Sequence, residues 1–116
     1  MPKDFPRALR VAEQVRRELV VIIRDSVHDP RVKDFSITEV VVSKDLSTAK
    51  VYFTPYAQNN EVEALQQGLD SCSPFLRKEL GKILHLRIIP SLSFHYDDIL
   101  DRSARLDDLL SKENLE

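Results

Sequence analysis

Glycine is scarce in this 116-residue chain, with only Gly68 and Gly81 present. Both fall in stretches of helical periodicity, so no glycine-rich loop is available to wrap a phosphate in backbone N–H groups. The single cysteine, Cys72, excludes an intramolecular disulfide and leaves no cysteine pair for a zinc site. It lies on an apolar helical face without an obvious partner base, the setting of a buried structural thiol rather than a nucleophile. His28, His85 and His95 fall in different elements with no spaced carboxylate cluster beside them, so neither a metal nor a cofactor is expected. Asp97 and Asp98 are adjacent, and adjacent carboxylates rarely converge on one atom; they fit a helix N-terminus better. No apolar run approaches the ~20 residues of a membrane-spanning helix. Met1-Pro2-Lys3-Asp4 has no apolar stretch behind it, so secretion is not expected. Together these absences argue against an enzyme and for a cytoplasmic protein.

What is present is an ordinary globular composition, 42% hydrophobic and 31% charged, in a length that fits one domain. The formal net charge of -2 hides a block pattern. Residues 1–33 hold eight Lys/Arg against five Asp/Glu, and residues 73–96 hold four against one. Residues 34–72 hold two against six, and residues 97–116 three against seven. A mildly acidic chain can therefore carry a basic face if its first and third blocks meet in space. Charge alone is equally well explained by solvated surface.

Residues 1–6 read as an arm. Arg7 to Ser26 is the longest helical signal, with Ala8, Val11, Ala12, Val15, Leu19, Ile22 and Ile23 on one arc. Arg10, Arg17 and Arg24 lie opposite, a stripe about 21 Å long. His28-Asp29-Pro30-Arg31 ends the helix, because the residue before proline is pushed from helical geometry. Ser36 to Ser43 is rich in β-branched residues, Lys44-Asp45-Leu46-Ser47 makes a turn, and Thr48 to Tyr56 alternates. This predicts a β-hairpin. Asn59-Asn60 belongs to the loop that follows.

The stretch from Val62 to Tyr96 reads as helix, break, helix, strand. Val62, Leu65, Leu69 and Cys72 share one face, and then Ser73 and Pro74 supply an N-cap and a first helical residue. The second helix sets Phe75, Leu76, Leu80, Ile83 and Leu84 against Arg77, Lys78, Lys82 and His85. The strand puts Ile88, Leu92, Phe94 and Tyr96 on one face. Asp97 to Lys112 is a last amphipathic helix. The predicted order is α-β-β-α-α-β plus a C-terminal helix: an α+β domain with a three-stranded sheet covered by helices on one side. Its shared core is predicted to hold Ile22, Ile23, Val51, Phe53, Leu65, Leu69, Leu80, Ile83 and Phe94. Sheet order is not legible.

Laid out in this way, the chain resembles the bacterial ribosome-binding factor A family over nearly its whole length. The resemblance rests on Arg10-Val11-Ala12-Glu13, Asp29-Pro30-Arg31, Ser43-Lys44-Asp45-Leu46 with Ala49-Lys50-Val51-Tyr52, and Leu80-Gly81-Lys82 through Leu86-Arg87-Ile88-Ile89-Pro90 to Phe94-His95-Tyr96-Asp97. Each motif is weak alone; in this order and at these separations they are specific. The resemblance implies a type II KH-like domain, with a core near residues 7–97 and a C-terminal helix and tail over 98–116. It implies a non-catalytic ribosome biogenesis factor that binds the small (30S) ribosomal subunit and its 16S rRNA and assists late maturation and rRNA processing. The family has an alanine-x-glycine kink in place of the usual KH GxxG loop, and here that position reads Cys72-Ser73-Pro74.

Two further functional classes fit the residues less fully. One is a protein-interaction module that uses the acidic hairpin and the C-terminal helix. The other is a small enzyme or regulator with a site beside the kink. For the RNA-binding reading, the candidate contacts are Arg7, Arg10, Arg17, Arg24, Ser73, Arg77, Lys78, Lys82 and Arg87. The protein is expected to be a monomer when free, with no membrane partner.

Overall fold

The computed structural model describes residues 4–56 and 62–98. The elements are α1 (Asp4–Ser26), β1 (Phe35–Val42), β2 (Thr48–Pro55), α2 (Val62–Ile83) and β3 (Ser91–Tyr96). The sheet order is β1-β2-β3. β1 and β2 form the predicted antiparallel hairpin, whereas β2 and β3 are parallel, with α2 as the crossover between them. Buried residues of α1 and α2 share one cluster with one face of the sheet, so both helices cover the same side. This is the α+β, KH-like layering.

Seven apolar positions of α1, Ala8, Val11, Ala12, Val15, Leu19, Ile22 and Ile23, are buried as their spacing requires. The helix begins at Asp4 rather than Arg7, so residues 4–6 of the expected arm are helical. Pro6 is tolerated there because the first turn has no intrahelical acceptor for its missing N–H.

The hairpin turn is held by Asp45. Its Oδ1 accepts from Ser43 Oγ (2.7 Å), Ser47 Oγ (2.7 Å) and Ser47 N (3.1 Å). These donors favour the ionised form and pull the carboxyl down to about 2. Along β1, a bulge between Ile37 and Glu39 shifts the register by one residue. Ile37 opposite Phe53 and Val40 opposite Val51 therefore point to the same face, although three positions separate them. Phe53 is fully buried, with edge-on contacts to Phe35 (6.4 Å) and Tyr96 (6.3 Å).

Where two helices were predicted around Ser73-Pro74, the structure has one. α2 runs through Pro74, so the order is α-β-β-α-β and Ser73 is a mid-helix residue rather than an N-cap. The reason is phase. Leu65, Leu69, Cys72, Leu76 and Leu80 keep helical steps of four, three, four and four across the proline. The four leucines are buried, three of them completely. Burying a leucine contributes about 1.5–3 kcal/mol, and an interior proline costs about 3 kcal/mol. The leucine stripe outweighs it.

The predicted core is otherwise correct except at Ile83. That residue sits on the last turn of α2 and is exposed, while Leu76 and Leu84 are buried. Phe75 is also exposed, and Ile88 lies before β3 rather than in it. Asp97 and Asp98 are not helical. Asp97 N donates to Phe53 O (2.7 Å), and its carboxylate accepts from Thr38 Oγ1, so Asp97 extends the sheet. The remainder of the predicted C-terminal helix and the Asn59-Asn60 loop lie outside the described residues.

The free edge of β3 is covered by α2 side chains. Ser91 N and Asp97 N donate toward β2, to Ser47 O and Phe53 O, so the alternate residues Leu92 and Phe94 present their carbonyls outward. Gln66 Nε2 donates to Phe94 O (2.8 Å) and Ser73 Oγ to Leu92 O (3.3 Å). An edge that could recruit another strand is thereby blocked.

Phe53→Ala or Phe94→Ala should each lose about 3–5 kcal/mol of stability, measured by urea unfolding; a loss below about 1 kcal/mol at both sites would contradict the core described.

The two glycines should respond in opposite directions. A Cβ on Gly68 would stand 2.7 Å from Val32 Cγ2 and 3.1 Å from Arg31 Cβ. Gly68→Ala should therefore lose about 1–3 kcal/mol of stability through overpacking, before the helix-propensity gain is counted, and melt at a lower temperature. At Gly81 the closest atom is Ile89 Cγ1 at 3.4 Å, an ordinary contact. Gly81→Ala should stabilise by about 0.4–1 kcal/mol, and a loss of stability in that variant would contradict the open environment.

Candidate nucleic-acid interface

The C-terminal half of α2 and the segment leading into β3 enclose a shallow groove of about 520 Å³, lined by Pro74, Arg77, Lys78, Gly81, Arg87, Ile88 and Ile89. Three of these residues are cations, and no carboxylate lines the groove. Pro74, Gly81, Ile88 and Ile89 are its uncharged members. Pro74 shapes the groove at its helical wall, because a proline has no N–H to give the carbonyl of Asp70 and its ring presses on that turn. Gly81 keeps the middle of the helical wall low.

The cations differ in what they do. Arg77 is committed to the loop: its Nη2 and Nε donate to Ile89 O at 2.9 and 3.3 Å. It anchors the far wall of the groove while its guanidinium stays exposed. Lys78 and Arg87 are exposed, and neither makes a hydrogen bond or an ion pair among the described residues. Lys82, also exposed, lies off the groove with Nζ 2.7 Å from Glu79 Oε2. Ser73 is half-buried and bound to Leu92 O, so the structure gives it a packing role.

On α1, Arg7, Arg10, Arg17 and Arg24 are all exposed, as their spacing predicts. Arg24 pairs with Asp25 at 2.9 Å, and this hydrogen bond holds the Asp25 carboxyl below its ordinary range. No α1 residue lines the α2 groove. The structure therefore brings Arg77, Lys78 and Arg87 together and leaves the α1 stripe as a separate exposed row on the same helical layer. Ile88 was read as a strand residue; it is instead 59% exposed at the groove. A sequence signal for that did exist, since Pro90 two residues later cannot donate to a strand ladder.

The loop before β1 fixes how α2 sits. Asp29 Oδ1 accepts from Arg31 N (2.9 Å) and Nε (3.0 Å), and Oδ2 accepts from Nη2 (2.7 Å). These contacts draw the Asp29 carboxyl down to about 2. The closed turn sets Val32 against Gly68 of α2. Cys72 lies beside this junction, half-buried. Desolvation pushes its thiol up, and Sγ donates to Leu69 O at 3.4 Å, so it is a poor nucleophile.

Among the described residues no group of three His, Cys, Asp or Glu could hold a metal ion, and no helix is long and apolar enough to cross a membrane. What the groove offers chemically is cationic hydrogen-bond donors beside apolar side chains, which suits phosphate and nucleotide contact.

Comparison with known proteins fits this geometry. The family model described as "Ribosome-binding factor A" matches residues 7–110. Ribosome-binding factor A of Thiobacillus denitrificans is 48% identical over 110 residues, covering 95% of this chain and 89% of that protein. The crystal structure of ribosome-binding factor A from Thermus thermophilus superposes with a TM-score of 0.70 at 26% identity, over 77% of this chain and 93% of that one. A homology model of the Thermus thermophilus factor, fitted into the cryo-electron-microscopy map of a complex with the 30S subunit, matches with a TM-score of 0.59 at 27% identity, over 72% and 88%. Matched along nearly its whole length in sequence and over most of it in structure, the chain belongs to the ribosome-binding factor A family.

Proposed function

We propose that this protein is a non-catalytic assembly factor. It binds the small (30S) ribosomal subunit through 16S rRNA in the cytoplasm, and it assists late maturation and rRNA processing as a single RNA-binding domain. The observation that carries this reading is the α2 groove, in which three cations and no carboxylate share the lining with Pro74, Ile88 and Ile89. Support also comes from the Thermus thermophilus factor, which was fitted on a 30S subunit.

Lys78 and Arg87 make the first contacts, because neither has a partner among the described residues to give up. Arg87 can hold a phosphate with two parallel hydrogen bonds, whereas Lys78 acts as a point charge. Arg77 contributes charge while keeping the loop in place. The exposed rows of α1 and Lys82 extend the positive field. The Arg24–Asp25 pair is exposed and therefore weak, so a phosphate can replace that carboxylate, whereas Lys82 keeps a half-buried Glu79 beside it. Such contacts read the shape and backbone of folded RNA rather than its sequence.

The test is affinity for 30S subunits across a salt series. The Lys78→Ala/Arg87→Ala variant should bind more weakly and lose up to about two phosphate equivalents from the salt slope. Its melting temperature should match the parent's, because both side chains are exposed. Parental affinity and slope in the folded variant would move the interface away from this groove, to the α1 row or to a protein contact.

A further inference from the structure

A second groove, of about 490 Å³, lies where the last turns of α1 meet the start of β1 and the end of β2. It borders the opposite edge of the sheet from the α2 groove, because β1 and β3 are the two outer strands. Val20 and Phe35 are among its apolar wall, and Tyr56 stands at the end of β2. The groove leaves apolar surface in water: Val20 is 47% exposed and Tyr56 is 73% exposed. Asp34 turns the chain here with φ of 54°, and its carbonyl accepts from Tyr56 N at 2.9 Å. The tyrosine backbone is thus tied to the start of β1 while its ring stays open.

The charges around this wall fix the occupant. Arg16, Arg24 and Lys33 line the groove, with Asp34 as the one carboxylate. Arg16 and Lys33 have no ion pair among the described residues, and the exposed Arg24–Asp25 pair is readily exchanged. An apolar peptide laid here would desolvate unpaired cations at a cost. A duplex offers phosphates but has no free base face for Tyr56. An unpaired nucleotide offers both at once, an aromatic face to stack and flanking phosphates to meet arginine and lysine. The volume suits a small-molecule-sized guest.

We propose that this groove is a second RNA contact: it takes one unpaired base of single-stranded RNA, stacked on Tyr56, with the neighbouring phosphates on Arg16 and Lys33. The proposal rests on the preceding reading in that the partner is RNA, but its contacts, Tyr56, Arg16 and Lys33, are not those of the α2 groove. With grooves at both edges of the sheet, one RNA can be held at two points, and the second engagement becomes intramolecular.

The experiment uses the full chain and a ten-nucleotide single-stranded RNA of mixed sequence, with an abasic oligomer of equal length for comparison. Amide shifts on titration should appear at Val20, Phe35 and Tyr56. Tyr56→Ala should weaken the oligomer about tenfold, whereas Tyr56→Phe should stay within about twofold of the parent because the stacking face is kept. The abasic oligomer should bind the parent as weakly as the normal oligomer binds Tyr56→Ala. Unchanged affinity in folded Tyr56→Ala would overturn the proposal, as would equal binding of the abasic oligomer or shifts confined to the α2 groove. The Lys78→Ala/Arg87→Ala variant separates the two readings. If it binds 30S subunits like the parent while Tyr56→Ala still weakens the oligomer, the α2 groove fails and this site stands.

Discussion

The burial of α2's leucine stripe in the core it shares with α1 and the sheet is the contact on which the other features depend. Leu69, Leu76 and Leu80 are fully buried, as are Val51 and Phe53 on the central strand. Because the stripe stays in phase across Pro74, the helix can bury both of its halves in one core and carry a proline on its outer side. That proline, Gly81 and the cations between and beyond them then occupy the solvent face at fixed positions. The α2 groove is the reverse side of a hydrophobic contact, and its geometry is set by the core beneath it.

Polar contacts refine the same placement. Gln66 and Ser73 occupy the outward carbonyls of β3, and Arg77 occupies that of Ile89. Three side chains from one helix thereby hold the strand and its lead-in at a set distance. Asp29 and Asp45 play a corresponding part in the two loops, each closing a tight turn around an ionised carboxylate. Because both carboxyls lie below the ordinary range, this stabilisation is complete above pH ~4 and fades as pH falls toward 2.

Much of the fold was legible because periodicity reports burial directly. The α1 arc, the hairpin with its turn, and Phe53 and Phe94 as core residues all follow from spacing. The misjudged positions are those where a local rule met a stronger tertiary term. Ser73-Pro74 has the chemistry of a helix start, but the leucine spacing carried on through it, and that spacing was the better guide. Ile83 and Leu84 are neighbours in the chain, and the helix ends between them, so only the end of the helix decides which one faces the core. The exposed cations of the α2 groove could be listed from sequence, but Arg77's bond to Ile89 could not, since it depends on where the loop returns. The second groove was hidden for a similar reason. Val20 and Tyr56 are far apart in the chain, and only the hairpin brings them together.

The parallel pairing of β2 with β3 also orders events in time. The hairpin is complete at Pro55, yet its partner strand begins at Ser91, about 35 residues later. At a synthesis rate of 5–20 residues per second, one edge of β2 waits roughly 2–7 s for β3 to emerge. During the early part of that interval, before α2 is complete, Val51 and Phe53 have neither the strand nor the helix that will cover them. The nascent chain therefore passes through a stage in which a two-stranded ribbon with an apolar face depends on α1 alone for shelter.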